Sequence, residues 1–283
     1  MAPSVACVVP TFRPDHAELR AVLSSIPVPT VVVDDASPCT SDRTLIEVPT
    51  DIPVLRHARN AGIARSLNVG LAWAVEQGAT WLLTVDQDSA LPAGYVSGLV
   101  DQAALAESIL GRGQVGAVGA GRVDDASGAL GYPVSWKSGV PTTHELIQTG
   151  TLWSVGALVG VGGFDERLGI DAVDAAACLR LRQAGREIVV APAVAIDHRL
   201  GSGQQVRLLG RSVLASGHSP ARRTTMVRNR LRLFPAEFVQ SPTHALRTLR
   251  RVGVNTALAI TMEQDRWAKA KASARGLLPD RDR

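Results

Sequence analysis

Two aspartates one residue apart, Asp86 and Asp88, follow directly on the apolar run Trp81 to Val85. Carboxylates at that spacing can both bend toward one crevice if the chain turns there, and such hard oxygen donors suit Mg2+ or Mn2+. A metal that bridges a diphosphate neutralises charge on the leaving group as its bond breaks. The plainer alternative is a pair of loop aspartates capping the helix that follows Pro92. Asp34-Asp35-Ala36-Ser37 offers further carboxylates, suited to a base N–H or a ribose hydroxyl, or else an Asx turn leaving a strand. Asn60-Ala61-Gly62-Ile63-Ala64 opens a helix whose free N–H groups favour phosphate, although a simply capped helix start has the same pattern.

These groups act together only if the fold carries them to one place. The first half of the chain alternates short β-branched runs with helical patterns, which predicts βαβ units and a largely parallel sheet. Strands are expected over Val5 to Val9 (stopped by Pro10), Thr30 to Val33, Pro53 to Arg56 and Trp81 to Val85. Helices are expected from Asp15 to Ser25 and from Asn60 to about Gln77. Thr11, Asp34-Asp35 and Asp86-Gln87-Asp88 then stand at the carboxyl ends of three strands, the edge where open α/β sheets bind ligands. Beyond this point the pattern predicts a helix over Pro92 to Ile109 and a strand over Val115 to Gly119. Residues 122–146 read as loop and short strand, Val173 to Ala184 as a helix, and Ile188 to Ala191 and Val194 to Ile196 as two strands. Gly111-Arg112-Gly113-Gln114-Val115-Gly116 matches GxGxxG letter for letter. The dinucleotide fingerprint must follow a strand and open a helix, and here the order is reversed, so the match is a turn.

With 283 residues, 46% of them hydrophobic, the chain suits one large α/β domain with a small appendage. Its formal charge is only +4, yet eleven arginines and a single acidic residue, Glu237, lie between Arg199 and Arg251. Such a block attracts phosphates or anionic headgroups. No nucleic-acid module is recognisable and aromatics for base stacking are scarce, so nucleic acid is not an expected partner. Cys7, Cys39 and Cys178 form no CxxC pair, which excludes a disulfide framework or zinc site; Cys7 and Cys178 fit as small buried hydrophobes. The start Ala2-Pro3-Ser4 is not a signal peptide, and the apolar stretch Leu152 to Gly163 is too short to span a bilayer. The expected location is a reducing cytoplasm, with contact at the inner face of the plasma membrane allowed.

The order of these pieces resembles family 2 glycosyltransferases of the GT-A fold. The resemblance rests on Pro10-Thr11, Val33 to Ser37, Asn60 to Ala64, Leu67-Asn68-Val69-Gly70, Asp86-Gln87-Asp88, Gly162-Gly163-Phe164-Asp165-Glu166 and Asp171 to Asp174. It runs on through Cys178-Leu179-Arg180, His198-Arg199-Leu200-Gly201, His218-Ser219-Pro220 and Arg228-Asn229, over about residues 5–232. Within that family the Asp-Gln-Asp-Ser form and the Ile170-Asp171 to Asp174 stretch look most like bacterial rhamnosyltransferases. The resemblance implies that Thr11, Asp34 and Asp35 hold base and ribose, with Asn60 and Gly62 also on the nucleotide sugar. Asp86 would touch the nucleotide sugar and a divalent metal, Asp88 would ligate that metal most directly, and His198 would add a metal or diphosphate contact. Arg222, Arg223 and Arg228 would meet the diphosphate or a phosphorylated acceptor.

Asp174 falls where such enzymes keep the catalytic base. A sugar hydroxyl is a poor nucleophile, so a carboxylate must take its proton as the new bond forms. The start of a helix helps keep Asp174 ionised, although carboxylates are ordinary there. The chain departs from the family pattern just afterwards. Ala175-Ala176-Ala177 stand where a further acidic and a bulky residue are common, which would enlarge the pocket or remove an acceptor contact. Thr224-Thr225 likewise replace aromatics. His57, His144 and His244 are expected at the surface, and Trp136 and Trp153 either border the acceptor site or pack in the core.

The expected protein is therefore α/β, a mixed and mostly parallel Rossmann-like GT-A sheet flanked by helices. Residues 1–215 would form the catalytic domain and 216–283 a helical basic appendage. The expected activity is inverting, metal-dependent transfer from a UDP- or dTDP-sugar, such as dTDP-rhamnose, to a cell-envelope glycan or lipid-linked acceptor. A homodimer and peripheral membrane contact are compatible with this. One alternative is a catalytically silent nucleotide-sugar-binding protein. Another is a sugar nucleotidyltransferase, but Pro10-Thr11-Phe12-Arg13-Pro14 lacks the glycine-rich phosphate loop that enzyme would need.

Overall fold

The apolar run at Val5 becomes the strand around which the sheet is ordered. The computed structural model describes residues 4–38, 48–125, 128–197, 204–208, 211–215, 218–262 and 265–278. The strands are β1 (Val5–Thr11), β2 (Thr30–Asp34), β3 (Val54–Arg56), β4 (Trp81–Thr84), β5 (Val115–Asp125), β6 (Gly128–Gly131), β7 (Ser135–Lys137) and β8 (Val140–Thr142). They continue with β9 (Thr151–Ser154), β10 (Glu187–Asp197), β11 (Gln204–Leu208) and β12 (Arg211–Ala215). The helices are α1 (His16–Ser25), α2 (Ile63–Glu76), α3 (Tyr95–Leu110), α4 (Val155–Gly160), α5 (Val173–Gln183), α6 (Pro220–Gln240), α7 (Pro242–Met262) and α8 (Arg266–Gly276).

Two compact units result. One comprises residues 1–124, 129–169 and 173–198; the other comprises 125–128, 170–172 and 199–283. The main sheet runs β3-β2-β1-β4-β9-β5-β10-β8-β7, with β6 beside β5. β1 is parallel to β2 and β4, and β10 to β5, while β9 runs antiparallel between β4 and β5. This is the mixed, mostly parallel sheet expected from the βαβ pattern.

Helices cover both faces, which explains why β1 is apolar from Val5 to Pro10 rather than at alternate positions. Cys7 and Val9 join Leu19 of α1, Leu83 and Leu99 of α3 in one buried cluster. Each such Leu or Val contributes about 1.5–3 kcal/mol relative to exposure. Val8 points the other way by strand alternation, and there α2 comes so close that a Cβ on Gly70 would run into the Val8 side chain. Asp15 caps α1 as expected, accepting from the Ala17 and Glu18 N–H groups at 2.8 and 3.0 Å.

Several boundaries differ from expectation. β1 continues through Pro10 to Thr11, because a proline near a strand end removes only one donor from the ladder. The two strands expected at 188–191 and 194–196 are one strand, β10, whose register shifts between Ala191 and Ala195 around Pro192. α4 lies inside the glycine-interrupted apolar stretch at 152–163, where periodicity over six residues carries no signal. The literal GxGxxG is a turn from α3 into β5, with Gly111 and Gly113 at φ 107 and 71. His244 is buried rather than at the surface, because it lies on the inward face of α7 with Ala245 and Thr248. Cys7 and Cys178 are fully buried, and that burial pushes both thiols far above their ordinary range, as inert core residues require. Cys39 lies outside the described residues.

The second unit is mainly α6, α7 and α8, with β11 and β12 paired antiparallel. Within it, Asn229 of α6 is buried and donates from Nδ2 to the carbonyls of Ile170 and Asp171, both at 2.9 Å. Arg222 adds a paired contact to the Asp171 carboxylate, with Nη2 to Oδ1 at 3.0 Å. These contacts hold Asp171 and Ala172 at φ 65 and 61, a left-handed conformation that costs non-glycine residues energy. Asn229→Ala is expected to destabilise the protein by about 1 kcal/mol, the cost of losing the bonds that the buried Asn229 donates to the Ile170 and Asp171 carbonyls. The urea unfolding midpoint measures this, and Asn229→Asp should lose stability as well because it removes the NH2 donor.

Candidate active site

Register brings the polar strand ends level. Thr11 lies opposite Asp34 across β1 and β2, and the Val85 N–H donates to the Val8 carbonyl at 3.1 Å, which sets the end of β4 beside them. Parallel neighbours end on the same edge, so the carboxyl ends of β1, β2 and β4 open onto one crevice rim.

The chain does turn at Asp86-Gln87-Asp88. The Ser89 N–H donates to the Asp86 carbonyl at 3.2 Å, closing a tight turn. Gln87 fastens that turn to the end of β1: its Oε1 accepts the Phe12 N–H at 2.8 Å and its Nε2 donates to the Phe12 carbonyl at 3.3 Å. The Asp86 N–H donates to Thr149 Oγ1 at 2.9 Å, and Asp86 Oδ1 accepts from Gln148 Nε2 at 2.9 Å. Asp88 is exposed, with one oxygen accepting a weak bond from Ser89 Oγ at 3.3 Å. Two carboxylates in one braced turn, one half-buried and one facing solvent, form a donor set that suits a hard divalent ion.

Asp34 ends β2 and Asp35 follows it, and the two carboxylates meet different partners. Asp34 is buried and accepts from Ser37 Oγ at 2.5 Å and from Arg56 Nη1 at 3.0 Å. Ser37 Oγ in turn accepts the Arg13 N–H at 2.8 Å, so this carboxylate ties the loop after β1 to the loop after β2. Asp35 accepts from the N–H groups of Ala61 and Gly62 at 2.6 and 2.9 Å. Asn60 Nδ2 reaches the Asp35 carbonyl at 3.4 Å, and the Ala64 N–H reaches the Gly169 carbonyl at 3.5 Å. Gly62 has φ 88 and its Cα faces Gly169, so a side chain there would strike backbone. The start of α2 is thus organised around Asp35 and Gly169.

Thr11 differs from its neighbours. It is 2% exposed, and its Oγ1 has no hydrogen-bond partner among the described residues. A buried hydroxyl without a partner is costly, and one at a ligand-binding edge is what a bound molecule would satisfy.

Asp174 lies in the first turn of α5, half-buried, with Oδ1 accepting the N–H of Ala175 at 2.8 Å. Its charge is felt by Tyr132, whose phenol is pushed up first by burial and further by Asp174 and other nearby groups. Tyr132 therefore stays protonated, and its oxygen accepts the Ile147 N–H at 3.1 Å. Ala175, Ala176 and Ala177 are all buried. Arg228 is on α6, half-buried, in the second unit. His198 lies outside the described residues.

Other motif residues brace the scaffold. Asn68 Oδ1 accepts the Phe164 N–H at 2.8 Å and its Nδ2 donates to the Phe164 carbonyl at 3.0 Å, which joins α2 to the Gly162-Gly163-Phe164 turn. Arg180 donates to the Val161 and Gly163 carbonyls of the same turn at 3.0 and 2.5 Å. Gln148, Thr149, Ser37 and Arg56 went unnoticed as single residues in the sequence. Gln148, Thr149 and Arg56 meet partners far away in the chain, whereas Ser37 lies within a local turn three residues from Asp34.

Comparison with known proteins bears on the fold that carries this arrangement. Residues 19–126 match the model of the Glycosyl transferase family 2. That match covers less than half of the chain. The chain is 26% identical over 251 residues to the dTDP-rhamnosyl transferase RfbF of Shigella flexneri, covering 81% of this chain and 79% of that protein. Among solved structures it is similar to GalNAc-T7 with UDP, GalNAc and Mn2+, with a TM-score of 0.57 and 14% identity over 83% of this chain and 48% of that one. It is also similar to TarS of S. aureus, with a TM-score of 0.57 and 16% identity over 98% of this chain and 50% of that one. The chain spans about half the length of these two structures. A TarS fragment in complex with UDP-GlcNAc is covered to 79%, again with a TM-score of 0.57 and 16% identity. The fold is the GT-A fold that these glycosyltransferases share.

Proposed function

We propose that this protein is a family 2 glycosyltransferase, an inverting, metal-dependent enzyme that moves rhamnose from dTDP-rhamnose, or a related sugar from a UDP- or dTDP-sugar. The acceptor in this proposal is a cell-envelope glycan or a lipid-linked glycan. The observation that carries the donor site is the braced turn of Asp86 and Asp88 beside the unpartnered Thr11 hydroxyl. The similarity to RfbF supports the choice of nucleotide and sugar.

In this reading Thr11 gives its hydroxyl to the nucleoside, and Asp34 and Asp35 shape the rim around it, with Asn60 and Gly62 beside them. Asp86 and Asp88 would hold Mg2+ or Mn2+, which when bound neutralises charge on the diphosphate. His198 and Arg228 are further candidates for the diphosphate. Asp174 accepts the proton of the acceptor hydroxyl as that oxygen attacks the anomeric carbon. The carbon–oxygen bond to the diphosphate breaks on the opposite side, its electron pair leaves with the diphosphate, and the anomeric configuration inverts.

The test is thermal stabilisation by a panel of dTDP-, UDP- and GDP-sugars with Mg2+, Mn2+ or chelator, repeated on Asp88→Ala. A donor at about a hundred times its dissociation constant adds roughly 2.7 kcal/mol. The expected result is stabilisation by a dTDP- or UDP-sugar that needs metal and disappears in Asp88→Ala. Equal stabilisation with chelator, or in the variant, would refute the metal role, and no response to any nucleotide sugar would refute the donor site.

A further inference from the structure

Among the described residues, α7 has an outward face that is exposed yet does not suit water. Its inward side carries His244, Ala245, Thr248, Leu258 and Ala259, all buried. Steps of three and four residues place Leu246, Leu249, Gly253 and Ala257 along one outward stripe. Leu246 is 53% exposed, Leu249 39%, and Val254 beside the stripe 49%. Arg247, Arg250 and Arg251 flank it on one side and are exposed. No aspartate or glutamate occurs anywhere in Pro242–Met262. A helix exposed only to water carries charged and polar residues outward, whereas this one carries leucines bordered by arginines alone. In α8 of the same unit, Trp267 is 73% exposed and the helix is again free of acidic residues.

We propose that this face of α7 docks on an anionic lipid surface. Both halves of the pattern fit that occupant. Leucines and valine enter the headgroup–acyl boundary, while arginines with apolar stems keep their guanidinium groups among the phosphates. A nucleic-acid backbone would use the arginines but gain nothing from the leucines, and α7 has no aromatic residue on which bases could stack. The helix would lie on the membrane and not cross it, since among the described residues no helix is long and apolar enough to span a bilayer. Two arginines earlier in the basic block make contacts within this unit. Arg223 is buried and donates to the Asn255 carbonyl at 3.2 Å, and Arg222 pairs with Asp171. The inference is independent of the transfer reaction.

The test is co-sedimentation of the full chain with vesicles of phosphatidylcholine alone and of phosphatidylcholine mixed with phosphatidylglycerol. Binding is expected to the mixed vesicles and not to the neutral ones. The Arg247→Gln, Arg250→Gln, Arg251→Gln triple variant is expected to bind roughly a hundredfold more weakly. Leu246→Ser with Leu249→Ser should remove the part of the binding that survives high salt. All these sites are at the surface, and unchanged melting temperatures would verify that the variants fold. Equal binding by wild type and triple variant, or binding to heparin without binding to vesicles, would overturn the proposal. So would a concentration-dependent dimer that the leucine variants dissociate while vesicles bind nothing, since the face would then belong to a second copy.

Discussion

Asp174→Asn is expected to lower the turnover of sugar transfer by about 10^2- to 10^4-fold, the range that a general base supplies. The substitution is close to isosteric, and the amide oxygen can still accept the Ala175 N–H that Asp174 Oδ1 accepts at 2.8 Å. The start of α5 therefore keeps its local bond, and the buried alanines behind it keep their packing. What is lost is the ability to take a proton. The thermal shift produced by the donor sugar nucleotide should be unchanged, because donor binding is assigned to the carboxyl ends of β1, β2 and β4. Tyr132 cannot substitute as a base, since burial holds its phenol protonated across the working pH range. Full turnover in Asp174→Asn would remove this residue from the mechanism, and loss of donor binding together with turnover would assign it a structural role instead.

The second large effect is on stability. Trp153→Ala is expected to cost about 3–5 kcal/mol, as removal of large buried side chains usually does. Trp153 is fully buried on β9, where the central antiparallel strand passes between β4 and β5. Its ring stands edge-on to Phe164 with centroids 5.4 Å apart. Its Nε1 donates to Thr84 Oγ1 at 3.0 Å, and that hydroxyl donates onward to the Gln148 carbonyl at 2.5 Å. A melting temperature lower by on the order of 10 °C follows for a protein of this size. Trp153→Phe should cost less, because most of the volume remains and mainly the indole donor is lost. Acceptor affinity measured well below melting should hold in both variants. A rise in acceptor KM without loss of stability would return Trp153 to the acceptor site, where its residue type alone also allowed it.

The bracing of the motif residues changes how their loss should be judged. Asp34, Asp35, Gln87 and Asn68 all make close internal hydrogen bonds, so substituting any of them disturbs the rim as well as any ligand contact. Thr11 and Asp88 are better probes of binding. Among the described residues the Thr11 hydroxyl has no partner to lose, and Asp88 makes a weak contact with Ser89.

Much of the architecture was legible from local pattern. The apolar runs at Val5 and Thr30, the Asp15 cap and the glycine after Gln77 act over a few residues, and a short stretch of chain suffices to read them. Polar residues after successive parallel strands must share an edge, so the candidate site at Thr11, Asp34 and Asp86 could be placed before any coordinates were known. Tertiary structure decided which of those side chains remain available. Gln87 meets Phe12 across 75 positions of chain, and Gln148 and Thr149 meet Asp86 across 62 and 63. The burial of Ala175 to Ala177 and the exposure of Leu246 and Leu249 are also invisible in the chain alone. Hydrogen bonding and burial depend on what the rest of the molecule brings to a residue, whereas strand, cap and turn depend mainly on its immediate neighbours.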